Sequence, residues 1–299
     1  MPVSELRSNM LKAAHIVLAG MCAASLFPAA VTAQDAKPQL ISLDYCSDQF
    51  ALALADPDQI LGLSPEADAV HSFLREKAHG LPKFSGSIEE VLLLNPDLVL
   101  RAWRGGQRSI DLFQAQGMTV ASTQLGSDPE TILGNLSYMG QAMKQEERTD
   151  ALLQDYRARL QALNNQPAND LRAAYVTTSG FSAGAGTFVD TVIQLAGIRT
   201  LSAEVGVKGW ASMPLEAFVM DPPDVIIASF FDLEGKPSAD WNIVRHPRFA
   251  AMMETIPVII VPGRYLSCNG FFFIDAAEYI RNQAISLGIL PSVAMEKQK

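Results

Sequence analysis

The sequence predicts an α/β protein of two similar lobes joined by one long helix. Three observations carry this. Short β-like runs alternate with helical ones in both halves of the chain, a strandless helical stretch from Pro129 to Leu163 separates the halves, and a helix-turn-strand unit recurs at an offset of 127 positions.

In the first half, Gln39 to Leu43 reads as a strand, Asp48 to Ala55 as a helix capped by Ser47, and Gln59 to Leu63 as a second strand. Ser87 to Leu94 is helical and Leu98 to Leu100 strand-like. Ile110 to Gln116 is a helix stopped by Gly117, before a strand from Met118 to Ser122. In the middle, Ile132, Leu136 and Met139 continue through Leu152, Leu153, Tyr156 and Leu160 at helical spacing. Asn164 to Asn169, with Pro167, breaks the pattern. Alternation then restarts: strands at Arg172 to Thr177, Val225 to Ala228 and Val258 to Val261, helices at Thr187 to Ala196, Leu215 to Met220 and Phe272 to Leu287. The tail from Pro291 is polar.

The repeat matches Ser87–Leu100 to Pro214–Ile227. Glu89 and Glu216 hold the same place, as do Pro96-Asp97 and Pro223-Asp224. Proline disfavours helix in the residue before it, aspartate suits the turn, and the apolar run that follows suits a buried parallel strand. One such unit is common. Two, one on each side of a helical connector, predict two Rossmann-like lobes: 34–143, a connecting helix 144–166, and 167–299.

Residues 1–33 form a unit of their own. Arg7 and Lys12 precede an apolar stretch ending Val31-Thr32-Ala33, the pattern of a signal peptide cleaved after about Ala33. Export leaves Cys46 and Cys268 in a compartment where disulfides persist; the sequence leaves open one bridge or two buried thiols. A net charge of −9 and pI near 5.0, with no basic run, exclude nucleic acid as a natural partner.

Ligands of open α/β sheets bind beyond the carboxyl ends of the strands. That rule selects Asp44, Tyr45, Cys46 and Ser47, then Ser64 and Pro65, then Arg101, Trp103 and Arg104, then Thr123 and Gln124. In the second half it selects Ser179, Gly180 and Phe181, Phe230 and Phe231, and Arg264, Tyr265 and Ser267, with Trp210 and Met213 in a glycine-rich loop. Aromatic faces suit a large, partly apolar ring, and arginine suits anionic oxygens. Arg101-Ala102-Trp103-Arg104 is the sharpest cluster, against a competing reading as a polar strand exit with one half-buried Trp. There is no P-loop, no His-Glu-x-x-His and no Gly-x-Ser-x-Gly elbow. Outside the leader only His71, His79 and His246 remain, too few for a histidine-rich metal site. No catalytic residue, bound cofactor or protein-held metal is expected.

From about Leu40 to Leu287 the chain resembles the periplasmic-binding domain of iron-chelate and cobalamin ABC importers. The resemblance rests on Ile41-Ser42-Leu43-Asp44-Tyr45-Cys46-Ser47-Asp48-Gln49 running into Ala55-Asp56-Pro57-Asp58-Gln59-Ile60-Leu61-Gly62-Leu63-Ser64, on the two Glu-to-Pro-Asp units and on the central helix. It implies a class III periplasmic-binding-protein-like fold with a rigid connecting helix. It also implies a monomeric receptor for a siderophore or cobalamin, with a permease dimer in the inner membrane as partner, and docking through Glu89 and Glu216. The Cys46 and Cys268 pair departs from the family pattern, and a bridge between two cleft loops is a hypothesis. Haem or another organic solute is the alternative cargo. An exported enzyme on the same scaffold is the alternative class.

Overall fold

The computed structural model describes residues 36–103, 106–167, 169–177, 179–212, 215–230 and 247–291. The expected export leader (residues 1–33), Arg104, Met213, Phe231 and the tail from Ser292 lie outside the described residues, so the account concerns the unit that begins at Lys37.

In the first lobe, β1 (Leu40–Ser42), β2 (Ile60–Gly62), β3 (Leu98–Arg101) and β4 (Thr119–Ser122) form an all-parallel sheet in the order β2-β1-β3-β4. Helices α1 (Tyr45–Leu54), α2 (Ile88–Leu94) and α3 (Gln107–Ala115) connect them. Leu40, Ile41, Leu98, Val99 and Leu100 are buried, as strands covered on both faces require. The cap of α1 is Asp44, not Ser47. Asp44 accepts from the backbone N–H groups of Cys46 and Ser47, while the Ser47 hydroxyl closes the reciprocal half of a capping box. The helix therefore starts three residues before the apolar periodicity does.

The middle is two helices, α4 (Pro129–Ala142) and α5 (Glu146–Asn164), the second within the expected 144–166. Lys144 turns the chain between them in the left-handed region, at φ 54°. Gly140 lets the helices cross closely, because a Cβ there would stand 1.9 Å from Thr149 Oγ1.

In the second lobe, β5 (Arg172–Thr177), β7 (Arg199–Thr200), β9 (Val225–Phe230) and β10 (Val258–Pro262) form a parallel sheet in the order β10-β9-β5-β7. β6 (Phe181–Ala183) and β8 (Trp210–Ser212) pair apart from it as an antiparallel ribbon. Helices α6 (Phe188–Leu195), α7 (Leu201–Glu204), α8 (Leu215–Met220), α9 (Pro247–Thr255) and α10 (Phe273–Ser286) complete the lobe. The ribbon, α7 and α9 were not anticipated. Three-residue strands and a one-turn helix carry too little periodicity to read.

The repeat has a physical function. Asp97 accepts from Gln39 N–H at 2.9 Å, and Asp224 accepts from Arg172 N–H at 2.8 Å. In each lobe the turn aspartate satisfies a backbone donor where the neighbouring strand begins, which sets that strand's register.

The strap after β10 joins the lobes. Phe272 is fully buried and stacks on Phe73 with ring centroids 4.2 Å apart, while Phe271 meets Phe50 and Tyr156 edge-on. Below it, Tyr156 donates to Asp275 at 2.7 Å, and Arg159 of α5 reaches Asp275 and Glu278 of α10. Cys46 and Cys268 are bonded, with Cα atoms 5.6 Å apart. Replacing Phe272 by Ala removes the centre of this seam and should lower stability by about 3–5 kcal/mol. Urea unfolding checks this as a drop in midpoint without a change in slope.

Candidate functional site

A cavity of about 610 Å³ opens between the lobes. Its wall follows the carboxyl ends of the strands: Asp44, Tyr45 and Cys46 after β1, Glu66 and His71 after β2, Ala102 and Trp103 after β3, Thr123 and Gln124 after β4. Ser267 to Gly270 come from the strap, and Phe50 of α1 adds an aromatic edge.

Backbone bonding sets the wall. Asp44 uses one carboxylate oxygen to cap α1 and the other to accept from Ala102 N–H at 2.8 Å, so the exits of β1 and β3 share one side chain. Trp103 N–H donates to Thr123 Oγ1 at 3.0 Å, tying β3 to β4. Tyr45, in the first turn of α1, donates from its hydroxyl to the Ser267 carbonyl at 3.3 Å and lies edge-on to His71 at 4.5 Å. His71 Nε2 is 3.7 Å from Glu66 Oε1, and Ser267 Oγ donates to the His71 carbonyl at 2.8 Å. Trp103 leaves 42% of its surface exposed. The result is a cleft with aromatic faces, two carboxylates and one imidazole, suited to a large ring with polar edges.

Of the residues expected here, Asp44, Tyr45, Cys46, Trp103, Thr123, Gln124 and Ser267 line the cavity, as does Cys268. Ser47 and Ser64 do not. Both are buried: Ser47 bonds Ser42 and Asp44, and Ser64 donates to Asp48. Arg101 is buried within β3, one residue short of the strand exit. Phe181 and Trp210 sit two positions apart diagonally on one face of the ribbon, both about half exposed, outside the cavity wall. Phe230 is the last residue of β9. Tyr265 stacks on Tyr279 at 4.9 Å and meets Phe73 of the first lobe edge-on at 5.6 Å, with the Arg264 guanidinium over its ring; neither Arg264 nor Tyr265 lines the cavity. Glu66, His71 and Phe50 were missed. The first two follow β2, so the strand-end rule reaches them, but a loop of mixed polarity gave no separate signal. Glu89 and Glu216 stand exposed in the first turns of α2 and α8.

Beneath the wall lies Asp48, fully buried, accepting from Ser64 N–H at 3.1 Å and Ser64 Oγ at 2.6 Å. Burial pushes its carboxyl up to about 7, against the opposing hydrogen bonds from serine.

The family model described as periplasmic binding protein matches residues 40–255, and the chain belongs to that family. The fold is that of class III members: two α/β lobes with a helical connector. The vitamin B12-binding protein of Pectobacterium atrosepticum is 23% identical over 88% of this chain and 94% of its own. The cobalamin-binding protein of Halobacterium salinarum is 22% identical over 66% of this chain; the match spans about half its length, 55%. The periplasmic haem-binding protein HutB of Vibrio cholerae superposes with a TM-score of 0.69 at 19% identity, over 82% of this chain and 97% of that one.

Because the folded pKa of Asp48 lies above the unfolded value of 3.8, the native state holds an extra proton between about pH 4 and 7. Stability therefore falls as pH rises through that window and levels off above it. Asn at position 48 keeps the Ser64 contacts without a charge. Asp48→Asn should flatten the stability profile over this range and raise stability above pH 7 by roughly 1–4 kcal/mol. Denaturant midpoints measured from pH 4 to 8 check both the slope and its sign.

Proposed function

We propose that this chain is an extracytoplasmic receptor that captures a ring-shaped metal chelate, cobalamin or a ferric siderophore, and passes it to an ABC importer. The observation that carries the reading is the aromatic-walled cavity at the carboxyl ends of parallel strands, closed by a strap from the opposite lobe. Tyr45 and Trp103 supply faces for a ring; Gln124, Asn269 and the carboxylates of Asp44 and Glu66 supply polar partners for its substituents. The function is capture and release, with no bond made or broken in the cargo and no cofactor of its own. The chain acts as an exported monomer freed of residues 1–33, with the divisions 34–143, 144–166 and 167–299 as its working parts.

Haem is the second reading. Tyr45 and His71 stand together in the wall, and phenolate and imidazole are both ligands of haem iron.

Delivery needs a partner surface. Glu89 and Glu216 are exposed at equivalent places on the two lobes, and each is followed one turn later by an exposed apolar residue, Leu93 and Met220. A surface duplicated on two lobes suits a partner with two equivalent subunits, and acidic points suit its arginines.

The mature protein should be stabilised by its cargo by about 2.7 kcal/mol at a hundredfold excess over the dissociation constant. A thermal-shift panel of cyanocobalamin, hemin and ferric siderophores identifies which, and no shift with any of them counts against the whole reading. Trp103→Ala should then weaken binding of that cargo by about tenfold, as the loss of one stacked aromatic face. Glu89→Ala with Glu216→Ala should abolish uptake by cells while leaving affinity unchanged; intact uptake removes the docking role.

A further inference from the structure

We infer that the Cys46–Cys268 bridge is a positioning element of the ligand cavity, holding the binding wall together across the two lobes so that affinity depends on its oxidation. The inference rests on the reading of that cavity as the ligand site. Both half-cystines line it; Cys46 is half-buried and Cys268 is 6% exposed. The bridge spans 222 residues of sequence, from the first turn of α1 to the strap after β10, and is the covalent tie at the floor of the cleft.

The rest of the wall depends on what this tie keeps together. Tyr45 precedes Cys46, and Ser267 precedes Cys268. Tyr45 donates to the Ser267 carbonyl, and Ser267 donates from its hydroxyl to the His71 carbonyl. One residue past the bridge, Asn269 donates to the Gly126 carbonyl at 3.0 Å. These are neutral hydrogen bonds beside an open cavity, where water competes for each partner, so singly they hold little. The aromatic seam and the Arg159 pairs hold the strap from Phe271 onward, and Tyr265 meets Phe73 edge-on at 5.6 Å before it, so the stretch Ser267 to Gly270 between these anchors is tied to α1 by the bridge and the hydrogen bonds beside it. With the bridge open, Ser267 to Asn269 can draw back from α1, and Tyr45 and His71 lose their shared partner. The fraction of molecules with a complete wall falls, and the apparent dissociation constant rises by the same factor. Linkage requires the converse: a bound ligand that needs the closed wall resists the opening of the bridge. An occupant also covers the half-buried sulfur from an attacking thiolate.

The test uses the mature oxidised protein with cyanocobalamin and hemin as probes, and dithiothreitol as reductant. Each bridge takes up two electrons and two protons, and dithiothreitol leaves as its cyclic disulfide. We expect affinity for the bound probe to fall about tenfold on reduction and in Cys46→Ser with Cys268→Ser, and to return on reoxidation. Circular dichroism should stay native throughout. Saturating probe should slow reduction, followed by thiol release, by a similar factor. A bridge that merely stabilises the fold would move the melting temperature and leave both readouts unchanged. Equal affinity in the two redox states overturns the inference, as does a reduction rate indifferent to a bound probe. The protection measurement needs no folded reduced form. If neither probe binds, cobalamin and haem are removed as cargo and a ferric siderophore stays, while amide exchange of residues 45–47 and 267–270 still decides on the clamp: unchanged exchange after reduction rejects it.

Discussion

Phe272, at the N-terminus of α10, stacks on Phe73 and joins that helix to a loop of the first lobe, and the geometry of the cleft follows from that contact. Three to six residues before α10 lie Ser267, Cys268, Asn269 and Gly270, which form the second lobe's share of the cavity wall. With Phe271 and Phe272 buried against Phe50, Tyr156 and Phe73, the strap is anchored to the first lobe at the end that enters α10. One hydrophobic cluster accordingly runs through both lobes, from Leu40 in β1 to Leu290 after α10, with a smaller separate cluster in each lobe. The lobes are two sheets on one core, which is why the strap of one serves as a wall for the other.

The two sheets were legible because parallel strands buried on both faces are written as apolar runs, and because the Glu-to-Pro-Asp unit occurs twice. The work of that unit was less visible. Asp97 and Asp224 read as turn residues, whereas each also satisfies a donor at the head of the adjacent strand, a contact of high sequence separation that no local pattern encodes. Asp44 was recognised at the strand exit but not as the helix cap, since apolar spacing marks where a helix buries a face rather than where its backbone begins.

Site residues separated by the same logic. Tyr45 and Trp103 reached the cavity because they follow a strand end directly. Arg101 did not, because β3 runs one residue longer than its apolar run and draws the side chain into the sheet. Phe181 and Trp210 are exposed aromatics on a ribbon whose pairing brings together residues nearly thirty positions apart, and nothing in either short strand announces the other. Glu66 and His71 lie in a loop with a single short helical turn, where chemistry is set by folding against Tyr45 and Ser267 rather than by spacing. The bridge between Cys46 and Cys268 was one of two readings that composition allowed, and only the convergence of β1 and β10 exits brings the thiols within reach.

A receptor built this way gains affinity differently from one that closes about a flexible hinge. Arg159 ties α5 to α10 through two carboxylates, the aromatic seam fixes the strap, and Asp44 fixes two strand exits with three backbone donors. Each constraint removes motion before any ligand arrives, so less ordering cost falls on binding itself. The corollary concerns release. A cleft held open at a nearly constant width cannot eject its cargo by relaxing on its own, so a receptor of this design needs external work on the lobes. In the proposed docking, the two matched acidic positions, one on each lobe and each at the start of the helix that leads into a central strand of its sheet, are the points through which that work is delivered.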